Sequence, residues 1–211
     1  MLDLFAPQIG MVPIAEGATL LRGFALDEAA FVLAAVLAIS DRAPFRYMTT
    51  PGGHRMSVAM TNCGTAGWVS DHAGYRYARH DPLTDRPWPP MPGLLADLAR
   101  RAALSAGFAD FAADVCLINH YVPGARMALH QDRDEGNLTA PIVSLSLGLP
   151  AMFLWGGLRR SDRPQRIALL HGDVAVWGGP ARLAFHGIMP LKESVHAQSA
   201  RQRYNLTFRQ L

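Results

Sequence analysis

Residues 141–155 read PIVSLSLGLPAMFLW, a run rich in β-branched and aromatic side chains that Gly148 and Pro150 interrupt. Short apolar segments separated by Gly, Pro or Asp turns are typical of β-strands. The same texture continues through four further segments after Ala112: ADVCLINHYV (113–122), QRIALLHGDVAVWGG (165–179), ARLAFHGIMP (181–190) and RYNLTFRQ (203–210). The sequence therefore predicts an antiparallel β structure over roughly residues 112–211.

Two earlier segments carry apolar residues at helical spacing. FALDEAAFVLAAVLAIS (24–40) has an acidic start, and MPGLLADLARRAALSAG (91–107) lies between a proline and a glycine. Two helices ahead of many short strands predict an α+β fold in which a jelly-roll-like double sheet is backed by N-terminal helices. With 211 residues, 50% of them hydrophobic, the chain suits one domain with one sizeable core.

Residues 42–92, between the two helical segments, are punctuated by glycine and proline and mix aromatic with basic side chains. Loops this long within a compact domain tend to be lids or binding surfaces. We therefore expect a lid over roughly residues 45–90.

The composition limits the classes of function. Of the 20 Lys and Arg residues, all but Lys192 are arginine, and the net charge is +3. Guanidinium groups suit nucleic acid or acidic small molecules, although a coding bias of the source would give the same composition. Cys63 and Cys116 form no C-x-x-C pair, so we expect reduced core thiols rather than a disulfide scaffold or a cysteine-rich zinc site.

Neither export nor membrane spanning is indicated by the hydropathy pattern. The first residues, MLDLFAPQIG, lack a basic region and a sustained apolar stretch, and no later segment offers eighteen uninterrupted apolar residues. We expect a cytoplasmic, monomeric protein that binds no membrane.

The tripeptide HQD, residues 130–132, could hold a metal ion. Side chains at i and i+2 of a strand point to the same face, so His130 and Asp132 could present an imidazole and a carboxylate to one ion. The pair alone is weak evidence, since H-x-D pairs arise by chance, and the alternative is two polar residues on the outside of a strand. A second pair, His171 and Asp173, flanks a glycine and predicts a turn in which Asp173 bonds the backbone.

His186 lies on a separate predicted strand and is the candidate third ligand. Two imidazoles and one carboxylate leave three positions of a metal open, as in non-heme Fe(II) oxygenases. Zinc could use the same ligands with one open position, and on spacing alone it stays an alternative.

The C-terminal strand RYNLTFR (203–209) adds an anion-binding pattern. Alternation places four polar residues on one face, namely Arg203, Asn205, Thr207 and Arg209. Arginines turned into a β structure are costly unless they meet anions, and a dicarboxylate supplies two. At about 3.3 Å per residue the two arginines lie roughly 20 Å apart, so the carboxylate that each would bind stays open. The alternative is an edge strand with solvated arginines.

These segments, together with NHYVPGARMALHQDRDE (119–135) and PGGHRMSVAMTNCG (51–64), resemble the bacterial AlkB-type alkylation-repair dioxygenases along nearly the whole chain. The resemblance implies a double-stranded β-helix with a nucleotide-recognition lid, and it implies Fe(II) and the co-substrate 2-oxoglutarate. It also implies a DNA and RNA repair enzyme that uses O2 to demethylate N-alkylated bases such as 1-methyladenine and 3-methylcytosine, releasing formaldehyde, succinate and CO2. Expected partners are single-stranded DNA, double-stranded DNA and RNA.

The resemblance assigns roles to residues that match the family's motifs. The iron ligands would be His130, Asp132 and His186. The residues that hold 2-oxoglutarate would be Asn119, Tyr121, Arg203, Asn205 and Arg209, with Arg203 at the distal carboxylate and Arg209 near the metal-bound end. The damaged nucleotide would meet Trp68, Tyr75 and Tyr77 in the lid, Asp134 at the exocyclic amine of the base, and Arg160 at the border of the pocket.

Two positions depart from the family pattern. His54 and His120 stand where an aromatic residue and an arginine are expected, which puts lid contacts in doubt more than the chemistry. From the residues alone, the lid aromatics could be core packing and Asp134 a solvated turn acid. Two other functions also stay open: the same oxygenase chemistry on a protein or small molecule, and a catalytically silent module that binds single-stranded nucleic acid.

Overall fold

The computed structural model describes residues 9–211 and consists mainly of antiparallel strands. The strands are β1 (Gly10–Ala15), β2 (Ala18–Arg22), β3 (Arg46–Thr49), β4 (Arg55–Gly64), β5 (Gly67–Asp71), β6 (Gly74–Ala78), β7 (Val115–Tyr121), β8 (Met127–His130), β9 (Ile142–Gly148), β10 (Ala151–Trp155), β11 (Gln165–Leu169), β12 (Val174–Trp177), β13 (His186–Ile188) and β14 (Arg203–Arg209). The helices are α1 (Ala29–Arg42) and α2 (Gly93–Ser105), and a 3-10 turn spans Gly179–Ala181.

Most strands belong to two sheets. The large sheet has eight strands in the order β1-β2-β12-β9-β14-β7-β4-β3, and the small sheet has four in the order β11-β10-β13-β8. Side chains of both sheets, such as Leu117 and Trp177 from the large one and Phe153 and Ile188 from the small one, form a single buried cluster. The core therefore lies between the two sheets, which confirms the predicted jelly-roll architecture.

The two helices cover the other face of the large sheet. Val36 of α1 and Leu98 of α2 share a second buried cluster with Leu145 of β9 and Leu206 of β14. Helix α1 begins at Ala29, later than the predicted segment 24–40, because the residues before Ala29 form turns. The N–H group of Ala25 donates to Gly172 O and so holds these turns against the β11–β12 connection.

The interpretation of residues 42–92 as a long loop was wrong. This stretch contains four strands, of which β3 and β4 extend the large sheet while β5 and β6 pair only with each other. Strand β4 was missed because buried polar residues hide its apolar pattern. Thr61 bonds Ala43 O, and the amide of Asn62 bonds the backbone of Trp68, so neither needs water. Strands β1 and β2 were not predicted either.

Two smaller predictions are confirmed. The carboxylate of Asp173 accepts hydrogen bonds from the N–H groups of Leu170 and Gly23 at 2.9 Å each, which fixes the turn between β11 and β12. Cys63 and Cys116 are buried, free thiols. Within residues 9–211, neither helix has the length and apolar content that crossing a membrane requires.

Candidate active site

Three side chains from distant parts of the chain converge on one point. His130 ends β8, and His186 begins β13 directly opposite it in the ladder. Asp132 follows β8, and its two carboxylate oxygens lie 3.8 Å from His130 Nε2 and 3.8 Å from His186 Nε2. One ligand atom from each residue lies within 4.8 Å of the other two, so the three can bind a single metal ion.

Backbone carbonyls orient both imidazoles. The Nδ1–H group of His130 donates to Ala128 O at 2.9 Å, and that of His186 donates to Ala184 O at 3.0 Å. A carbonyl can only accept, so each Nδ1 carries the proton and each Nε2 presents its lone pair to the shared point.

Burial and charge hold His186 and Asp132 in the protonation states that a metal requires. Burial, together with the charge of His130, lowers the pKa of His186 to about 4, which leaves the imidazole neutral at physiological pH. Burial alone would raise the pKa of Asp132, but the guanidinium charge of Arg209 and its hydrogen bond to the carboxylate outweigh burial and keep that pKa well below its usual range. The carboxylate is therefore ionised.

The inner face of β14 carries the polar residues that alternation places there. Tyr204, Leu206 and Phe208 belong to the helix-side core, while the cavity between the sheets is lined by Arg203, Asn205, Thr207 and Arg209. All seven residues of the strand are buried. The alternative of an edge strand with solvated arginines is wrong, because β14 lies between β7 and β9.

Arg203 is a buried cation with spare donors. It is 0% exposed, and its guanidinium lies 4.8 Å from the ring centroid of Tyr121. Among residues 9–211, only Nη2 has a hydrogen-bond partner, Ser146 Oγ at 3.1 Å, whereas Nε and Nη1 have none. An unpaired buried guanidinium costs several kcal/mol, so this position fits a carboxylate that the two nitrogens could bind together.

Arg209 lies at the opposite end of the strand, beside the metal-binding cluster. Its Nη2 donates to Asp132 Oδ2 at 3.0 Å, and its Nε forms an ion pair with Glu135 Oε1 at 2.9 Å. Between the two arginines, Asn205 bonds Ser144 Oγ at 2.8 Å and accepts a long hydrogen bond of 3.4 Å from Asn119. Of the two cations available to a small dicarboxylate, Arg203 therefore lies far from the metal-binding cluster and Arg209 lies close to it.

One cavity of about 940 Å³ contains the cluster, the inner face of β14 and part of the β5–β6 hairpin. Its lining includes four of the five residues expected to contact a nucleotide, namely Trp68, Tyr75, Asp134 and Arg160. The rings of Trp68 and Tyr75 are nearly parallel, at 14°, with centroids 5.6 Å apart. Trp68 Nε1 donates to Asp134 Oδ2 at 3.0 Å.

Tyr77 does not line this cavity. Its hydroxyl donates to Glu135 Oε1 at 2.7 Å, beneath the hairpin that carries Trp68 and Tyr75. The structure thus separates Tyr77 from the other lid aromatics and places it where it can fasten the hairpin.

The comparisons with known proteins agree with this geometry. The family described as the 2OG-Fe(II) oxygenase superfamily matches residues 17–209. The chain belongs to the 2OG-Fe(II) oxygenase superfamily. It is 56% identical over 211 residues to the alpha-ketoglutarate-dependent dioxygenase AlkB of Salmonella typhimurium, an alignment that covers 100% of this chain and 98% of that protein.

Two further relatives of this oxygenase extend the comparison. The solved structure of OsALKBH1 superposes with a TM-score of 0.85 at 26% identity, covering 96% of this chain and 100% of that one. The human protein named nucleic acid dioxygenase ALKBH1 is 34% identical over 121 residues, which are 57% of this chain and 31% of that protein.

The chain is therefore an AlkB-type dioxygenase that uses Fe(II) and 2-oxoglutarate, as its sequence predicted. Its residues fit both groups, since the cluster offers the two imidazoles and one carboxylate of a non-heme iron site and Arg203 offers an unpaired buried cation. Iron, rather than the zinc that the spacing left open, is the metal of this family.

The two departures from the family pattern fall in different places. His54 lines the cavity. His120 is turned to the helix side of the sheet, where it stacks on Tyr204 at 5.0 Å and contacts Phe45 at 5.1 Å. Only the first can touch a ligand in the cavity.

Sequence reasoning missed two charged residues of the site, Glu135 and Arg182. Both are buried, and they form an ion pair of 3.1 Å beside Asp132. A signal was present, because Arg182 stands in an otherwise apolar run shortly before His186, and a charge in such a run needs a partner.

Proposed function

We propose that this dioxygenase oxidatively removes alkyl groups from N-alkylated bases of nucleic acid, with 1-methyladenine and 3-methylcytosine as substrates and formaldehyde, succinate and CO2 as products. The observation that carries the proposal is a single cavity lined both by Trp68 and the half-exposed Tyr75 and by the metal-binding cluster, in which Asp132 and His186 are buried. The full-length likeness to AlkB and the name of the human relative, a nucleic acid dioxygenase, support it.

In this proposal the cluster of His130, Asp132 and His186 binds the iron. With 2-oxoglutarate and O2, the bound iron supplies the oxidising power that hydroxylates an N-methyl group. Nε and Nη1 of Arg203, which have no partner among residues 9–211, donate to the distal carboxylate of 2-oxoglutarate. The guanidinium itself lies over the ring of Tyr121. Arg209 is already paired with Asp132 and stands at the metal-bound end, and Asn119 and Asn205 hold the co-substrate between them.

The base enters the cavity out of its stack. A methylated Watson–Crick edge is inaccessible in a duplex, so the enzyme acts on single strands or pays to flip the base, which costs least where the lesion already blocks pairing. Trp68 stacks on the flipped base, a contact worth about 1–3 kcal/mol. Asp134 accepts a hydrogen bond from the exocyclic amine, and Arg160 lies at the border of the cavity.

The remaining parts of the proposal concern the protein as a whole. The chain, residues 1–211, is assigned to one catalytic domain, of which residues 1–8 lie outside the part that the structure describes, with the lid within about 45–90 and the catalytic β-helix over about 112–211. The enzyme acts on single-stranded DNA, on duplex DNA and on RNA. It works as a cytoplasmic monomer.

Formaldehyde release from a single-stranded oligonucleotide with one 3-methylcytosine tests the proposal. Product should depend on Fe(II), 2-oxoglutarate and O2, and the His186→Ala variant should give none, because the imidazole that completes the cluster is missing. Consumption of 2-oxoglutarate by the wild-type enzyme without formaldehyde from any N-methylated base would refute a nucleic-acid substrate.

A further inference from the structure

The loop of residues 131–141 carries Asp132 and Asp134 outside any helix or strand. Its backbone has no ladder of its own, so side chains must fix its position. We propose that Arg182 is a positioning residue that, through Glu135, couples this loop to the lid hairpin β5–β6. The inference rests on the proposed role of Asp132 as an iron ligand and adds to it how that ligand is held.

Arg182 binds the loop at three points. The residue is 4% exposed, and each arm of its guanidinium has a different partner. Nη1 donates to Asp132 O at 2.6 Å, Nε donates to Ala140 O at 2.9 Å, and Nη2 donates to Glu135 Oε2 at 3.1 Å. One planar cation therefore ties both ends of the loop and its middle, and the point charge of a lysine has no such fork.

Glu135 passes this restraint to the lid. Its other oxygen, Oε1, accepts a hydrogen bond of 2.7 Å from the hydroxyl group of Tyr77 and lies 2.9 Å from Arg209 Nε. Tyr77 belongs to β6, whose partner strand β5 carries Trp68. A shift of the hairpin therefore pulls on the carboxylate that Arg182 holds.

The charges of this group balance. Arg182 and Arg209 face the carboxylates of Glu135 and Asp132, and all four side chains are buried. Such a network is stable while every member is paired, and removing one member leaves a buried charge without a partner. The position of Asp132 and the position of the β5–β6 hairpin thus both depend on Arg182 and Glu135.

The test uses Arg182→Lys, Tyr77→Phe and the double variant, with Arg22→Lys as the matched control because Arg22 forms an ion pair with the buried Asp173 of the β11–β12 turn. Two properties are measured on the full chain: Fe(II) affinity, by anaerobic titration of the visible charge-transfer band with 2-oxoglutarate, and trypsin cleavage after Arg76 and Arg79. Neither measurement needs a nucleic-acid substrate.

Arg182→Lys should weaken Fe(II) binding by about tenfold or more, the usual effect of losing a residue that orients a ligand, and should speed hairpin cleavage. Tyr77→Phe should speed cleavage and leave Fe(II) affinity within about twofold, since it loses only the hydroxyl bond to Glu135. Because both act through Glu135, the double variant should be cleaved no faster than Arg182→Lys.

Wild-type Fe(II) affinity and cleavage in Arg182→Lys, or effects equal to those of Arg22→Lys, would overturn the inference, and so would additive cleavage rates in the double variant. Should Arg182→Lys fail to fold, Glu135→Gln decides in its place, since it removes the charge that Arg182 faces at nearly constant size. Failure of the proposed function would show separately, as a wild-type enzyme that binds Fe(II) but releases no formaldehyde from methylated bases.

Discussion

Strand β14 and the β5–β6 hairpin supply the two halves of one cavity, and the fold holds them in different ways. β14 pairs with β7 on one side and β9 on the other, and all of its residues are buried. The hairpin strands pair only with each other, and Tyr75 is 47% exposed. A strand with neighbours on both sides opens only when the domain unfolds, whereas a hairpin whose second strand, β6, has no buried residue can open locally.

This difference separates the chemistry from recognition. The groups that we propose to hold iron and 2-oxoglutarate are in place without either ligand, which spares the enzyme the cost of ordering them. Trp68 and Tyr75, which we propose to meet the base, lie on an element fastened by side-chain bonds, among them those from Trp68 to Asp134, from Tyr77 to Glu135 and from Asn62 to the backbone of Trp68. Changes in β14 and in the hairpin should therefore affect different kinetic constants.

The largest effect is expected at Arg203. Arg203→Met removes the buried cation that faces the distal carboxylate and should raise the KM for 2-oxoglutarate by about 10- to 100-fold, the range for a hydrogen-bonded charge. Steady-state kinetics with varied 2-oxoglutarate measures this, and the Fe(II) affinity should not change. Arg201→Met is the control, because Arg201 is exposed and pairs with Glu193. A KM within twofold of wild type in Arg203→Met would place the co-substrate elsewhere.

A smaller effect, on the other half of the cavity, is expected at Trp68. Trp68→Ala removes the stacking surface and should raise the KM for a methylated single-stranded oligonucleotide about tenfold, while the KM for 2-oxoglutarate stays constant. Tyr75→Ala should have the same direction and a smaller size, because Tyr75 is half exposed. An equal change in both constants for Trp68→Ala would show that the lid and the co-substrate site are not separable.

The same contrast explains what the sequence could predict. The polar face of β14 could be predicted from the sequence because apolar residues alternate with polar ones along this strand. The strand has helices on one side and the cavity on the other. The triad was readable as a candidate because His130 and Asp132 stand at strand spacing. Strand β4 was not readable, because Thr61 and Asn62 are buried and bond backbone atoms rather than water.

The lid attachment was also beyond the sequence. The ion pair between Glu135 and Arg182 joins residues 47 positions apart, and the hydrogen bond between Tyr77 and Glu135 joins residues 58 positions apart. Local periodicity carries no information about such contacts. The family resemblance grouped Tyr77 with Trp68 and Tyr75, and only the fold shows that Tyr77 does not line the cavity and that its hydroxyl bonds Glu135.

The smallest effect is expected at the end of β9 in the large sheet, where the stability of the fold depends on the protonation state of His171. The N–H group of Gly148 donates to His171 Nδ1 at 2.9 Å, and burial, with the charge of His196, lowers the pKa of His171. The unfolded chain takes up a proton near the ordinary pKa of about 6.5, and the folded chain does so only at lower pH. Stability is therefore lost as the pH falls below about 6.5.

The variant His171→Gln keeps an acceptor for the Gly148 N–H group and cannot be protonated. Its melting temperature should fall less between pH 7.5 and pH 5.5 than that of the wild type, by a few degrees at most. Thermal unfolding at both pH values measures this, with the exposed His72→Gln as the control that should behave as wild type. If the melting temperature of His171→Gln depends on pH as that of the wild type does, this end of the large sheet tolerates a protonated His171. The large sheet would then open locally at this end, as the hairpin does.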